Sequence, residues 1–204
     1  MWNKSLAIGF FIVIFANYSC AATTSPDPIP PKALQAALKA YHQARQHHKL
    51  GSNKHTLTVV DFSLPSYKKR LWVLDLNTHR VLMNLYTSQG KHSGLVYATH
   101  FSNRIHSEQS SLGLFTTAGE YYGHHGLSMR LKGLEAGIND HAEQRAVVIH
   151  SAWYATAEFV KKYHRTGRSW GCFAVSPANE KRLLTMIKGG SALFAYATHA
   201  SNST

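Results

Sequence analysis

The sequence predicts a mainly β domain with a few helices, and three observations carry that prediction. Between Thr56 and Tyr196 the apolar residues fall in short runs of β-branched and aromatic character rather than in long stripes of helical period. Gly113, Gly119, Gly123, Gly126, Gly133 and Gly137 cut the central runs, a spacing that suits turns between strands and opposes continuous helix. Two stretches, opening at Pro31 and Pro177, keep a helical apolar period behind a proline at the first position. At 204 residues, 44% apolar and 16% charged, the chain suits one folded domain with a sizeable core, and it carries no repeat or low-complexity block.

Residues 1–22 have the three-part build of a secretory signal peptide: Lys4, an apolar run from Leu6 to Ala16, and small residues from Ser19 to Ala22. Cleavage is expected after Ala21 or Ala22. The run is too short to span a bilayer comfortably, so no stable membrane insertion is expected once it leaves. Cys20 offers a lipoprotein-type alternative, which Asn17 and Tyr18 disfavour. An exported, periplasmic or envelope-associated protein is the expectation.

Residues 23–31 form a stiff Pro-rich linker. Residues 32–50 are expected as an N-terminal helix packed on the domain, with Leu34, Ala37, Leu38 and Tyr41 as its apolar stripe. Residues 51–204 then form the main domain. TLTVVDF reads as its first strand, and RLWVLDL with RVLMNLYT reads as a hairpin turning at Asn77-Thr78-His79. A loop follows over 90–94, then LVYATH as a short strand. The aperiodic stretch FSNRIHSEQS is expected over a surface or cleft. SLGLFTTAGEYYG, LSMRLKG and RAVVIH are further strands, AEFVKKYH a short helix, and TGRSWGCFAV a glycine-flanked turn leading into a brief strand. Pro177 to Lys188 is a helix capped by Ser176 and ended by Gly189-Gly190, and SALFAYA is the last strand.

Loss of the signal leaves Cys172 as the sole cysteine, so no internal disulfide can form. A lone thiol in an oxidising compartment is a liability unless it is buried or used. Its surroundings favour use. Gly171 permits a tight turn, main-chain amides there can meet a developing oxyanion, and Arg168 adds positive charge. A nucleophilic thiol needs a base, and His150 is the best placed of the 14 histidines because it closes the strand AVVIH; His125, His141 and His164 are the other candidates. Tyr121, Tyr122, His125 and Arg130 fit a groove in which Arg130 holds a peptide carboxylate, or else a glycine-rich hairpin with aromatic packing. Glu135, Asn139, Asp140 and Arg145 fit a polar network bracing the neighbouring loop, and of the two arginines Arg130 is preferred for the substrate.

No metal or cofactor is expected. His124, His125, His141 and His150 with Asp140 form no HExxH, and adjacent histidines on a strand point apart. No GxSxG elbow is present for a serine hydrolase. The formal charge of +12, or +11 once Lys4 is removed, points to an anionic partner. No basic run exceeds Lys68-Lys69-Arg70, and export disfavours nucleic acid, which leaves a membrane surface or an anionic cell-wall polymer as the partner.

The segment from His150 to Cys172 resembles the active-site signature of the L,D-transpeptidase catalytic domain, the YkuD-like family, and is most similar to its divergent murein branch. The family signature is a histidine, a spacer, then Ser or Thr, His, Gly and Cys. Here His150 is followed by 18 residues and Ser169-Trp170-Gly171-Cys172. AGEYYG, HGLSMRL, GLE and the ND-x-A-x-x-R run at Asn139 to Arg145 extend the likeness, and Ser111, Gly113 and Phe115 resemble the family's Pro-x-Gly-x-Phe stretch. Together they cover about Thr56 to Tyr196.

The resemblance implies a β-sandwich-like fold with the cysteine in a groove. It implies Cys172 as acyl acceptor, His150 as its activator, and the Ser151 carbonyl as the group orienting the imidazole. Gly171 and the Cys172 amide match the oxyanion neighbourhood, and Ser169 the small hydroxyl of the turn. Ser169, Trp170, Tyr121, His125 and Arg130 are the residues expected to meet substrate. Trp170 replaces the family's second histidine, and Phe173-Ala174 stand where Arg or Asn is usual, which bears on how a substrate carboxylate is held. The implied reaction is cysteine-dependent L,D-transpeptidation of peptidoglycan stem peptides by a monomer, with no cofactor. L,D-carboxypeptidase or endopeptidase action at the same site, and a non-catalytic peptidoglycan-binding protein, are the alternatives.

Overall fold

The computed structural model describes residues 26–53 and 55–198 and the backbone of 201–202; the expected signal segment lies outside the described residues. Helix α1 (Pro31–Gln46) opens the fold, followed by β1 (Thr56–Asp61), β2 (Leu71–Asp75), β3 (Arg80–Leu85), β4 (Gln89–Gly90), β5 (His100–Phe101), β6 (Gly113–Gly123), β7 (Gly126–Gly133) and β8 (Val148–Ser151). A 3-10 turn (Trp153–Ala155) leads to α2 (Ala157–Tyr163), β9 (Arg168–Ser169), β10 (Phe173–Val175), α3 (Pro177–Ile187), β11 (Ala192–Tyr196) and β12 (Ser201–Asn202). None of the described helices is long and apolar enough to cross a membrane.

Eight strands form one mixed sheet in the order β10-β8-β7-β6-β11-β1-β2-β3. The pairs β1–β11 and β8–β10 are parallel and the others antiparallel. The sheet curls until its ends meet: just beyond β3, Ser88 N–H donates to Ala174 O at 3.1 Å, and Ala174 N–H donates to Ser88 Oγ at 3.2 Å. The result is a barrel-like mainly β fold with three α-helices, the class the sequence predicts.

The period-two alternation of the central strands builds two cores. Val60 of β1, Leu71 and Val73 of β2, Phe115 of β6 and Leu193 and Ala195 of β11 face inward, where Leu183, Leu184 and Ile187 of α3 also lie. Leu57, Val59, Trp72, Leu74, Leu114 and Ala192 face the other way, onto α1. Both faces of β1 are therefore buried, which is why TLTVVD reads as a continuous apolar run. Helix α1 presents Ala33, Ala37, Tyr41 and Ala44 to this face, and the small alanines allow close approach. Trp72 Nε1–H donates to Asp27 O at 2.7 Å and ties the lead-in of α1 to the sheet.

Two local expectations change. LVYATH is not a strand: Thr99 and His100 N–H both donate to Ser93 O, so the backbone coils back on the loop and leaves Leu95 and Tyr97 exposed, and pairing begins only at His100–Phe101. Ser176 does not cap α3 through its side chain; its Oγ accepts from Asn179 Nδ2 at 2.8 Å, and Pro177 begins the helix.

A buried arginine organises the strap after β3. Arg70 has no exposed surface, and its guanidinium donates to Leu64 O at 2.9 Å, to Thr87 O through two nitrogens, and to Gln89 Oε1. Burial pulls its pKa down, opposed by the charge of Asp61. Arg70→Leu leaves those oxygens unsatisfied and is expected to cost roughly 3 kcal/mol. It should appear as a lower urea midpoint with unchanged slope. An unshifted midpoint contradicts the role.

Candidate active site

Strand β8 places Ile149 in the core and turns Val148 and His150 to the other face. Parallel pairing sets Ala174 of β10 against His150. Cys172, the residue before β10, meets the backbone of Val148, two residues before His150 in β8. Cys172 is half-buried, with Sγ 3.5 Å from Ala146 O. Burial pushes the thiol pKa up, partly offset by a hydrogen bond with the Val148 backbone and by the charge of Arg145. The resting form at neutral pH is thus the thiol.

His150 is 2% exposed, and its Nδ1 lies 2.8 Å from Ser151 O. A carbonyl only accepts, so Nδ1 carries the proton and Nε2 keeps its lone pair. Burial lowers the imidazole pKa, the Ser151 bond opposes this, and His125 lowers it further. The His125 ring stacks on His150 with centroids 4.2 Å apart. Ser151 is itself fixed, its N–H donating to Glu180 Oε1 at 2.7 Å and its Oγ to His125 O at 3.4 Å. Glu180, in the first turn of α3, thus anchors the amide of the residue whose carbonyl meets the imidazole.

The cysteine turn is internally braced. Ser169 Oγ donates to Cys172 O at 2.7 Å and accepts from Gly171 N–H at 3.2 Å, while Ser169 O accepts from Lys91 N–H. Ser169 is therefore a buried brace of the turn, and the Gly171 amide is occupied. Gly171 has φ +116, and a Cβ there meets Gln109 O at 2.8 Å. Gly171→Ala is expected to destabilise the fold by about 2 kcal/mol and to slow Cys172 alkylation or acylation as the turn is displaced. Thermal melting with a thiol-reactivity time course checks this; unchanged values in both contradict it.

The cation beside the thiol is Arg145, not Arg168. Arg168 is exposed and donates to Lys91 O. Arg145 Nη1 donates to Ser102 O and Ser111 Oγ, and Nη2 to Gln109 O and Ser107 Oγ, so all four terminal hydrogens are used within the protein. The aperiodic stretch is thereby pinned against the cysteine turn. Glu135 and Asn139 complete the bracing: Glu135 Oε1 accepts from Leu114 N–H, and Asn139 Nδ2 donates to the Leu112 and Leu114 carbonyls.

Arg130 is exposed, its guanidinium carbon 4.1 Å from the Tyr121 ring centroid. The two line a cavity of about 220 Å³ with Glu143, Ala146 and Val148, and the Ala146 and Val148 contacts place this cavity next to the thiol. Trp170 is 73% exposed, beneath Lys91. Tyr154, absent from the sequence-based candidates, has its phenol pKa pushed up to about 12 by burial and by Cys172. Neither it nor Glu180 stands in a motif, so no sequence signal marked them. Of the other histidines, His164 takes the left-handed position ending α2 and His141 Nδ1 lies against Asn103 O, whereas His125 joins the site. Among the described residues no three His, Cys, Asp or Glu side chains gather as metal ligands.

No curated protein matches the chain. Among solved structures it is similar to an L,D-transpeptidase from Mycobacterium smegmatis (18% identity, TM-score 0.44, covering 70% of this chain and 59% of that one). It is also similar to L,D-transpeptidases from Xylanimonas cellulosilytica (15%, 0.39, 69% and 60%) and Stackebrandtia nassauensis (11%, 0.42, 81% and 66%). The chain thus spans less than two thirds of the first two of these proteins. The model of the L,D-transpeptidase catalytic domain matches residues 26–196, which takes in every strand from β1 to β11 and both ends of the His150–Cys172 segment. That extent assigns the chain to the L,D-transpeptidase catalytic domain family.

Proposed function

We propose that the chain is a cysteine-dependent L,D-transpeptidase that acts on peptidoglycan stem peptides through a thioester on Cys172. The observation that carries this reading is the His150 Nδ1 contact with Ser151 O, which leaves Nε2 unprotonated, in the strand whose Val148 backbone bonds Cys172. A thiol raised by burial needs a base, and an imidazole lowered by burial is free to serve as one.

His150 Nε2 takes the Cys172 proton as sulfur attacks the carbonyl joining an L-centre to a D-residue. The tetrahedral oxyanion is held by the amide of Cys172, since that of Gly171 is directed at Ser169. The C–N bond breaks, the D-residue amine leaves with the proton from His150, and the acyl group stays on sulfur as a thioester. An acceptor amine then gives up a proton to His150 and displaces the thiolate, giving a cross-link. Arg145 supports the anionic states through its charge, and Arg130 with Tyr121 meets the peptide in the adjoining cavity. The positive charge of the chain holds it near anionic wall material after export.

Water in place of the amine gives L,D-carboxypeptidase or endopeptidase action from the same thioester. Mass analysis of the mature protein with defined tetrapeptide and pentapeptide muropeptides tests the proposal. The expected result is a Cys172 adduct with a dimeric product. A trimmed monomer with the adduct reassigns the enzyme as a hydrolase, and neither adduct nor product, with muropeptide bound, replaces the proposal with a wall-binding protein.

A further inference from the structure

The acyl site leaves an aromatic surface beside it without a role. Trp153, 70% exposed, meets Tyr154 at 5.9 Å and Phe159 at 5.3 Å between ring centroids, and Phe159 meets the 45% exposed Tyr163 at 4.4 Å. The inner end is anchored at the cysteine turn: Gly167 N–H donates to Tyr154 O at 2.8 Å, a Cβ on Gly167 falls 2.5 Å from the Tyr154 side chain, and the Tyr154 phenol senses Cys172. The rings therefore step outward from the thiol in the order Tyr154, Trp153, Phe159, Tyr163. Lys162 and Arg165 flank the outer rings, 5.2 Å from Tyr163 and 5.9 Å from Phe159.

The composition of this ledge selects its occupant. Val160, the one large aliphatic side chain between Ala152 and His164, is buried, so the open surface carries the aromatic rings and lysines, with Glu158 as its one exposed acid. Pyranose rings offer flat C–H faces that lie on an indole or phenol, and hydroxyl and acetamido oxygens that accept from neighbouring cations. We infer that the Trp153–Phe159–Tyr163 ledge is a subsite for a chain of N-acetylated pyranoses, so that a stem peptide reaches Cys172 while still attached to its glycan. The coupling to acylation rests on the proposed function; the sugar site itself does not.

Two measurements test it, on the full mature chain. The first titrates the β-linked tetramer of N-acetylglucosamine against Cys172→Ser protein and follows tryptophan fluorescence. Saturable binding is expected, weakened at least about tenfold by Trp153→Ala and largely kept by Trp153→Phe, with Tyr163→Ala as a second variant should Trp153→Ala fold poorly. The second compares wild-type Cys172 acylation by a free tetrapeptide and by the same peptide on its disaccharide; the glycan-linked form is expected to show a KM at least about fivefold lower. No saturable binding, or equal affinity in folded Trp153→Ala and Tyr163→Ala, overturns the sugar site. Equal KM values overturn its coupling to acylation. Tetramer binding without acylation by either peptide overturns the proposed function and leaves the sugar site standing, whereas acylation by both peptides without tetramer binding does the reverse.

Discussion

Cys172→Ser is expected to abolish the thioester adduct and lower turnover of stem peptide by at least about 10³-fold, with the melting temperature within a few degrees of wild type. The size of the effect follows from what the site lacks besides sulfur. The Ser88, Ser169 and Ser176 hydroxyls are committed to the turn and strand backbone or to Asn179, and no metal-ligand group is gathered among the described residues. A serine at 172 keeps the volume and the turn hydrogen bonds, which end on the main-chain oxygen. It is a much weaker nucleophile toward an amide, because its proton is far harder to remove. Mass analysis of the denatured enzyme reads the adduct and calorimetry the fold. Full residual turnover in the variant removes Cys172 from the mechanism.

His150→Ala is expected to slow acylation by about 10²- to 10⁴-fold while leaving muropeptide binding close to wild type. The physical content lies in the pH profile. Burial first, and then the stacked His125, hold the His150 pKa below the usual histidine value of 6.5. The acid limb of kcat/KM should therefore fall below that value in wild type and vanish in the variant. His125→Ala removes one of the lowering influences and should move the limb upward. An acid limb that persists in His150→Ala transfers the base role to another group. The sign of the stability effect is also fixed. The unfolded chain takes up the His150 proton near pH 6.5 while the folded chain resists it, so stability is present above that pH and is lost as pH falls toward the folded value. Urea midpoints measured between pH 7 and 5 should decline in wild type and decline less in His150→Ala.

Much of the fold was legible where a local rule and the global packing agree. β1 and β2 could be read from runs of β-branched and aromatic residues because both of their faces are buried, and the hairpin turn fell at His79, whose positive φ is typical of such a turn. The helix at Pro177 announced itself by spacing. LVYATH misled because its composition suits a strand while Ser93 captures its amides. Composition records preference, and a competing acceptor decided the outcome.

At the site, sequence pointed to Cys172 and His150 through a lone cysteine and a strand-ending histidine. It ranked Arg130 above Arg145 for substrate and counted Arg168 as the charge near the thiol. The choice between those arginines depends on which donors are already engaged. Arg145 has its terminal hydrogens taken by four oxygens from residues 102 to 111, a fact about chain segments far apart in sequence. The bracing role of Ser169 was hidden for the same reason, because its partners Cys172 O and Gly171 N are found only once the turn has closed.

The sequence by itself determined the mainly β class, the single cysteine beyond residue 22, the glycine that the turn requires and the residue types available as nucleophile and base. Those properties reside in local periodicity, backbone freedom and side-chain chemistry, which one stretch of chain contains. The tertiary structure alone decided that His150 and the cysteine strand lie in neighbouring parallel strands, that Glu180 holds Ser151, that His125 covers the imidazole, and that an aromatic ledge begins at Tyr154. Each is a long-range pairing or a burial, and the pKa shifts that make a thiol need a base and leave an imidazole free to be one arise from desolvation, which exists only after the sheet has curled and packed.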